Sequence, residues 1–213
     1  MSKKFFLFLF VSLFLNSILS ENTRAKEKES TTKWQVVSKE DGINVLERWV
    51  INEKNLKVKQ RTGRMTLHCS ANDVLNVISS TEKTPMWMKN AESVKRLKTI
   101  NSNEWIVYTV IDTPWPFSKQ DMVTRYKVIR LNDNVIKVKI EQASSLLPPQ
   151  KDMDRLDTFT AEWVIVPTDK NTVKVSFTTL STKPPKYPSW AQDPVVRRVF
   201  ASNMRNFKHL LNK

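Results

Sequence analysis

The residue types that most often bind metals or act as nucleophiles are scarce in this chain. It has two histidines, His68 and His209, and one cysteine, Cys69. The histidines lie on dissimilar segments far apart, so they predict no transition-metal cluster. His68 and Cys69 are neighbours, but neighbouring residues of a strand point to opposite faces, which weighs against a nucleophile pair. No G-x-S-x-G, phosphate-loop or dinucleotide motif occurs. The sequence therefore predicts neither a metal nor a cofactor.

Acid–base chemistry would have to come from Tyr108, Tyr126 or Asp112, which stand in or beside apolar segments. A catalytic site needs such groups to converge in one pocket with shifted pKa values. Asp112 ends its segment, where it is either exposed or paired near a pocket mouth. The two tyrosines and Gln142 are also suitable as polar groups that orient a ligand, or they satisfy one another or a buried water. Binding and catalysis both remain open at this point.

Alternating apolar and polar residues identify the strands that position these groups. Most of the alternating segments are apolar on one face only, which is typical of an antiparallel sheet with one solvated face. In residues 104–112 both faces are apolar, and we expect Ile106, Tyr108 and Val110 to face the interior. The predicted strands cover residues 43–50, 104–112, 122–130, 135–142, 159–166 and 172–180. The residues predicted to line a ligand pocket, or else to be plain core, are Tyr108, Val110, Met122, Thr124, Tyr126, Val138, Ile140, Phe159, Trp163 and Phe200.

Two helices are predicted. Ser70 or Asn72 caps a short first helix that carries Val74, Val77 and Ile78. A long second helix begins near Pro194, and its apolar stripe includes Phe200, Phe207 and Leu210. The order of elements predicts the α+β class, with one curved antiparallel sheet wrapped around a long C-terminal helix.

Residues 112–121, DTPWPFSKQD, cannot continue a strand, because Pro114 and Pro116 lack amide hydrogens. Tryptophan favours the membrane interface, and a lysine can meet a lipid phosphate. One interpretation is therefore a gate or membrane contact made by Trp115, Phe117 and Lys119. The other is a structural plug, in which Trp115 packs under the loop and Asp121 hydrogen-bonds the turn. The two are compatible if the plug is the gate.

The first residues predict export. Lys3 and Lys4 precede the apolar run 5–15, which is typical of a signal peptide and shorter than a membrane span, although an uncleaved anchor remains an alternative. We expect cleavage between residues 20 and 25, a polar leader to residue 32, and one domain over 33–213. The chain carries a net charge of +14, so 14 − 2 = +12 remains without the two signal lysines. This charge suggests attraction to anionic membranes, or merely a lysine-rich composition that keeps the protein soluble.

Four motifs occur in order along the chain: W-x-x-V-x-x-x-DGI-x-V at Trp34, Val37, Asp41, Gly42, Ile43 and Val45, the tryptophan Trp87, PWPFSKQDMV at 114–123, and P-x-W at Pro188 and Trp190. Together they make the chain resemble the START family of lipid-transfer domains over residues 34–213. The chain departs from the family at Gln120, where many members have arginine, and at Tyr126, which takes the inward position that many members give to an arginine.

The resemblance implies a helix-grip fold with an internal cavity for one lipid, sterol or other apolar molecule, and a loop at 112–121 that opens at a membrane. We therefore expect an exported monomeric binding protein, periplasmic or secreted, that is not an enzyme and binds no nucleic acid. The alternatives are an enzyme of the cyclase or aromatase kind on the same fold, with Tyr108, Tyr126 or Asp112 as acid or base, and a scaffold protein whose cavity is filled.

Overall fold

A computed structural model describes residues 32–113, 118–184 and 187–212. Its main element is one ten-stranded sheet in the order β1-β2-β3-β10-β9-β7-β6-β5-β4, with β8 paired to β6. All pairings are antiparallel except that of β8 with β6. The strands are β1 Gln35–Glu40, β2 Ile43–Ile51, β3 Lys57–Leu67, β4 Ala91–Asn101, β5 Glu104–Ile111, β6 Gln120–Arg130, β7 Ile136–Gln142, β8 Asp154–Arg155, β9 Phe159–Asp169 and β10 Thr172–Ser181.

In the described part of the chain, three α-helices accompany the sheet: α1 Ala71–Ser79, α2 Thr84–Trp87 and α3 Ser189–Leu211. Of the two predicted caps for α1, the structure uses Ser70, whose side chain accepts from the Asp73 backbone while Asp73 accepts from the Ser70 backbone. The predicted start of α3 near Pro194 was wrong. The helix begins five residues earlier, and Pro194 lies inside it. Because proline removes only one backbone hydrogen bond near a helix start, the first turn still forms.

The core lies between the inner face of the sheet and α3. Its centre is aromatic: the Trp163 ring stacks on Phe207 with centroids 4.6 Å apart and on Phe177 at 4.3 Å. The Trp87 ring meets Trp163 edge-on at 5.9 Å. Trp163 and Phe207 are fully buried. Burial and ring geometry together make this cluster the main anchor of α3 on the sheet.

Gly63 of β3 permits the close approach of α3. A Cβ atom at this position would lie 2.8 Å from Cε of Met204 and 3.1 Å from Phe200. Such distances are shorter than van der Waals contact, so any larger residue would have to displace these two side chains. The glycine therefore sets how closely the helix sits against β3.

The predicted inward face of β5 was wrong. Val107 lies directly opposite Thr124 of β6, and Trp105 lies opposite Tyr126, so these residues share the inner face. Tyr108 lies opposite Val123, on the outer face. The reason is that both faces of β5 are apolar, so alternation alone could not decide which one faces α3. Ile106, Tyr108 and Val110 therefore point away from the helix.

Candidate ligand-binding cavity

A cavity of about 630 Å³ lies between the inner face of the sheet and α3. Strands β3, β6, β7, β9 and β10 supply its walls, α2 and α3 supply the opposite side, and the segments 111–113, 154–158 and 181–184 contribute to its lining. The volume falls in the range of about 300–1,000 Å³ that small-molecule sites occupy. A sheet wrapped around one long helix has thus left space within the domain.

Seven of the ten predicted pocket residues line this cavity, and they come from four elements. Val138 faces inward as predicted, but it is fully buried and does not line the cavity. The much larger Trp163 lies directly opposite it on β9 and reaches the cavity instead. Tyr108 and Val110 lie on the outer face of β5. The seven lining residues are Met122, Thr124, Tyr126, Ile140, Phe159, Trp163 and Phe200.

Residues that are paired across neighbouring strands lie side by side, so the cavity wall consists of rows of such residues, here called levels. One level places Arg61 opposite Thr179, Thr179 opposite Ala161, and Ala161 opposite Ile140. The wall is thus cationic at β3 and apolar at β7, with the aromatic side chains of Phe177 and Trp163 on the next level of the sheet. The cavity therefore has a cationic corner at β3 that faces an apolar wall at β7.

The three candidate acid–base groups do not converge. Tyr126 lies on the inner face, where it is stacked on Trp105 with centroids 5.4 Å apart. Burial raises the pKa of its phenol, and the hydroxyl of Thr124 beside it opposes that shift. Tyr108 lies on the outer face, and Asp112 is exposed at the end of β5. Gln142 donates to the carbonyl of Phe159 at 3.1 Å.

A buried charged cluster joins β2, β3 and α3, and the sequence reasoning missed it. Arg61 Nε donates to Glu47 Oε1 at 2.6 Å, and Arg197 Nη2 donates to Glu47 Oε2 at 2.7 Å. Lys59 Nζ donates to Asp193 Oδ2 at 2.7 Å. Glu47 is 4% exposed and Arg61 is 8% exposed. Lys59, Arg61 and Asp193 line the cavity, so charge is built into its wall.

Glu47 stays ionised within this cluster. Burial by itself would raise the pKa of its carboxyl group, but hydrogen bonds from Arg197 and Arg61 and their positive charges outweigh burial and lower that pKa. Glu47 offered a signal in the sequence, because it occupies the apolar face of a strand between Val45 and Trp49. Such a carboxylate needs a cationic partner on a neighbouring strand.

A second buried ion pair braces the rim of the cavity. Arg155 donates to both carboxylate oxygens of Asp121, with Nε–Oδ1 at 2.7 Å and Nη2–Oδ2 at 3.0 Å, and Asp121 is fully buried. The same guanidinium group also donates to the carbonyls of Ser144, Leu147 and Pro148. Asp121 is therefore held by a side chain of the segment after β7, whereas the plug interpretation of the sequence gives it a hydrogen bond to its own turn.

The base of the loop at 112–121 is fixed beside the cavity. Thr113 Oγ1 donates to the carbonyl of Ser118 at 2.9 Å, and Thr113 and Gln120 both line the cavity. Trp115 and Phe117, two of the predicted gate residues, lie outside the described residues. Lys119, the third, is half-buried and forms an ion pair with Glu92. The gate prediction therefore stays a prediction.

Within the described part of the chain, no three His, Cys, Asp or Glu side chains come together as metal ligands. None of the helices in that part is both long enough and apolar enough to cross a membrane.

Comparison of the sequence with known proteins finds little similarity. No protein-family model matches the chain. An uncharacterised protein of Pseudomonas aeruginosa is 20% identical over 163 residues, which cover 76% of this chain and 79% of that protein. Sequence similarity alone therefore assigns no function.

Solved structures are similar over most of the chain. A STAR-related lipid transfer protein from Xanthomonas axonopodis matches with a TM-score of 0.74 at 24% identity, covering 85% of this chain and 100% of that one. Human StAR-related lipid transfer protein 5 matches with a TM-score of 0.72 at 14% identity, covering 94% of this chain and 96% of that one. The Zhui aromatase/cyclase of a Streptomyces species matches with a TM-score of 0.53 at 12% identity, covering 72% of this chain and 93% of that one. The chain therefore has the helix-grip fold of the START domains, which confirms the fold predicted from the sequence.

Proposed function

We propose that this protein binds one lipid or other hydrophobic molecule in the cavity between the sheet and α3. The observation that carries this proposal is the open volume of about 630 Å³ lined by Trp87, Met122, Ile140 and Trp163. Enclosing apolar ligand surface in such a space stabilises the complex by about 25 cal/mol per Å². The open space also argues against a scaffold with a filled cavity.

We further propose that the protein transfers its bound lipid between membranes. The Xanthomonas and human proteins of the same fold are named for lipid transfer. In this chain, Thr113 and Gln120, which belong to the segment 112–121, both line the cavity. We infer that this segment is the gate, that the basic surface favours anionic bilayers, and that the protein works as a monomer after export through its signal peptide.

An enzyme of the cyclase kind is the second candidate, because the Streptomyces aromatase/cyclase has the same fold. It is the weaker one here. Tyr108 lies on the outer face of the sheet, and Asp112 is exposed at the end of β5. Such an enzyme needs its acid and its base in one pocket, whereas only Tyr126 of the three predicted groups lines this cavity. The carrier without catalysis therefore fits the geometry better.

The binding proposal is tested by filling the cavity. Thr179 faces the cavity from β10, between Arg61 and Ala161. In Thr179→Trp the indole would displace about 60 Å² of ligand contact, which at about 25 cal/mol per Å² weakens binding about tenfold. We expect native mass spectrometry of the wild type purified from its host to show one lipid per chain, and the variant to lose most of it.

The matched control is Leu180→Trp, the next residue of the same strand, which lies on the outer face opposite Gln60. This variant should retain the ligand. If the wild type is free of ligand and takes none from vesicles, the binding proposal is wrong. If both variants retain ligand equally, the ligand does not lie in this cavity.

The gate proposal predicts that Trp115→Ala slows lipid extraction from anionic vesicles. The free energy of unfolding should change by no more than about 1 kcal/mol, which is usual for an ordinary point substitution. Leu131→Ala serves as the control, because Leu131 is an exposed apolar residue just beyond the opposite end of β6. An unchanged transfer rate in Trp115→Ala, or loss of its fold, would show that Trp115 is not a gate residue.

A further inference from the structure

The cationic corner of the cavity has more hydrogen-bond donors than its carboxylates use. Both oxygens of Glu47 are taken, Oε1 by Arg61 and Oε2 by Arg197. Arg61 makes these contacts through Nε and Nη2. Among the described residues, no hydrogen bond engages Nη1 of Arg61, which carries two further N–H groups. Arg61 therefore retains donors in a nearly buried wall of the cavity.

Lys59 adds to this surplus. Its ammonium group has three hydrogens, and one of them bonds to Asp193 Oδ2 at 2.7 Å. The nearest oxygen of Glu47 is 3.9 Å away, beyond hydrogen-bond distance. The Lys59 Nζ atom also lies 4.3 Å from the centre of the Trp49 ring. Further donors thus stand beside those of Arg61 on the same face of β3.

The charged side chains of this corner also leave an excess of positive charge. Three cations, Lys59, Arg61 and Arg197, meet two carboxylates, Glu47 and Asp193. The side chain of Arg197 is partly solvated, with 40% of its surface exposed. The side chains of Lys59 and Arg61 are only 12% and 9% exposed. Charged groups removed from water require a partner of opposite sign. An acceptor that brings negative charge would complete this corner.

The remainder of the cavity determines the form of that ligand. From Arg61 the wall continues across Thr179 to Ile140 of β7, and Trp163 lies one level deeper. Met122 of β6 also lines the apolar side. A molecule with one end at Arg61 therefore meets donors and positive charge there, and hydrocarbon and aromatic rings along β6, β7 and β9, while Asp154, Asp157 and Lys183 line another part of the cavity.

We infer that the cavity takes an amphiphile with one anionic head group, a carboxylate or a phosphate monoester, whose head lies on Arg61 and Lys59 and whose apolar tail lies along β6, β7 and Trp163. This inference rests on the proposed binding function and names the ligand class. Guanidinium and ammonium groups both bind such heads through charge-assisted hydrogen bonds. Hydrophobic ligands without a charged head would leave the donors of Arg61 unpaired and so bind less tightly.

The test compares three probes that share one hydrocarbon chain: oleate, oleyl phosphate and oleyl alcohol. Each displaces a neutral fluorescent lipid from the delipidated full-length mature protein. We expect oleate or oleyl phosphate to bind about 10-fold or more tightly than the alcohol, the usual difference for a charged hydrogen bond. The better of the two acids identifies the head group. Acetate and inorganic phosphate, which lack a tail, should not displace the lipid.

Arg61→Gln should remove most of the preference for the acid over the alcohol. The matched control is Arg64→Gln, because Arg64 lies on the same strand but is exposed on the outer face. Arg64→Gln should keep the preference. Since Arg61→Gln alters the partner of a buried carboxylate, the double variant Glu47→Gln/Arg61→Gln is measured in parallel; it removes both charges and should show the same loss.

The possible outcomes separate the two proposals. If all three probes bind equally well, or if Arg61→Gln keeps the preference of the wild type, the head-group inference is wrong while the binding function stands. If the alcohol binds best, the inference is likewise wrong, and the corner recognises a neutral head. If no probe and no vesicle lipid binds, the proposed function itself fails.

Discussion

Replacing Glu47 with glutamine is expected to lower the free energy of unfolding by about 3 kcal/mol at neutral pH, the lower end of the cost of breaking a buried ion pair. The loss is large because Glu47 neutralises Arg61, which is 8% exposed, and also holds Arg197 of α3. Glutamine keeps the shape of the side chain but leaves the Arg61 charge buried without its partner. Urea unfolding followed by circular dichroism measures the change.

The same variant predicts a definite pH dependence. The pKa of Glu47 in the folded protein lies below its ordinary value of 4.5, so below about pH 4.5 the unfolded chain binds more protons than the folded one. The stabilisation from Glu47 is therefore fully present above pH 4.5 and is lost as the pH falls through the folded pKa. We expect the stability difference between wild type and Glu47→Gln to shrink on acidification in this range.

Glu40→Gln is the control for this measurement. Glu40 pairs with Arg205 of α3 in a comparable cross-element contact, but 63% of its side chain is exposed. Exposed ion pairs contribute little, so its loss should cost no more than about 0.5 kcal/mol. An equal effect of the two substitutions, or a Glu47 effect that does not change with pH, would contradict the importance of the buried cluster.

Most strands and the fold class could be predicted because they depend on short-range pattern. The alternation of Ile136, Val138 and Ile140 with lysines is visible in seven consecutive residues, and the structure places all three on the inner face. Ser70 likewise stands directly before the apolar positions of α1. Such signals need no knowledge of which strands are neighbours in the sheet.

The cationic corner could not be predicted because it depends on long-range pairing. Glu47 meets Arg61 only through the register of β2 and β3, and it meets Arg197 across 150 residues of sequence. Lys59 meets Asp193 across 134 residues. The face of β5 was also undetermined, because Trp105 and Ile106 are equally apolar neighbours on opposite sides. Which side is covered by α3 depends on the whole sheet.

Replacing Trp163 with alanine is expected to have the largest effect of any single substitution considered, about 4 kcal/mol of lost stability. Trp163 is 1% exposed and contacts Phe177, Phe207 and Trp87 through its ring. Truncation removes these contacts and leaves a void under α3. Trp190→Ala is the matched control, because Trp190 is 82% exposed and the same truncation there should cost no more than about 0.5 kcal/mol.

Trp163→Ala also tests whether the aromatic cluster is the floor of the binding cavity. Trp163 lines the cavity from β9, so its truncation enlarges the space that a ligand can enter. A ligand that binds only the folded state stabilises it by mass action, by an amount that grows with the logarithm of its affinity. If the ligand tail contacts Trp163, truncating its ring weakens affinity, and saturating ligand raises the melting temperature of the variant less than that of the wild type. An equal rise in both proteins would mean that the ligand does not reach the floor and contacts only the levels near Arg61.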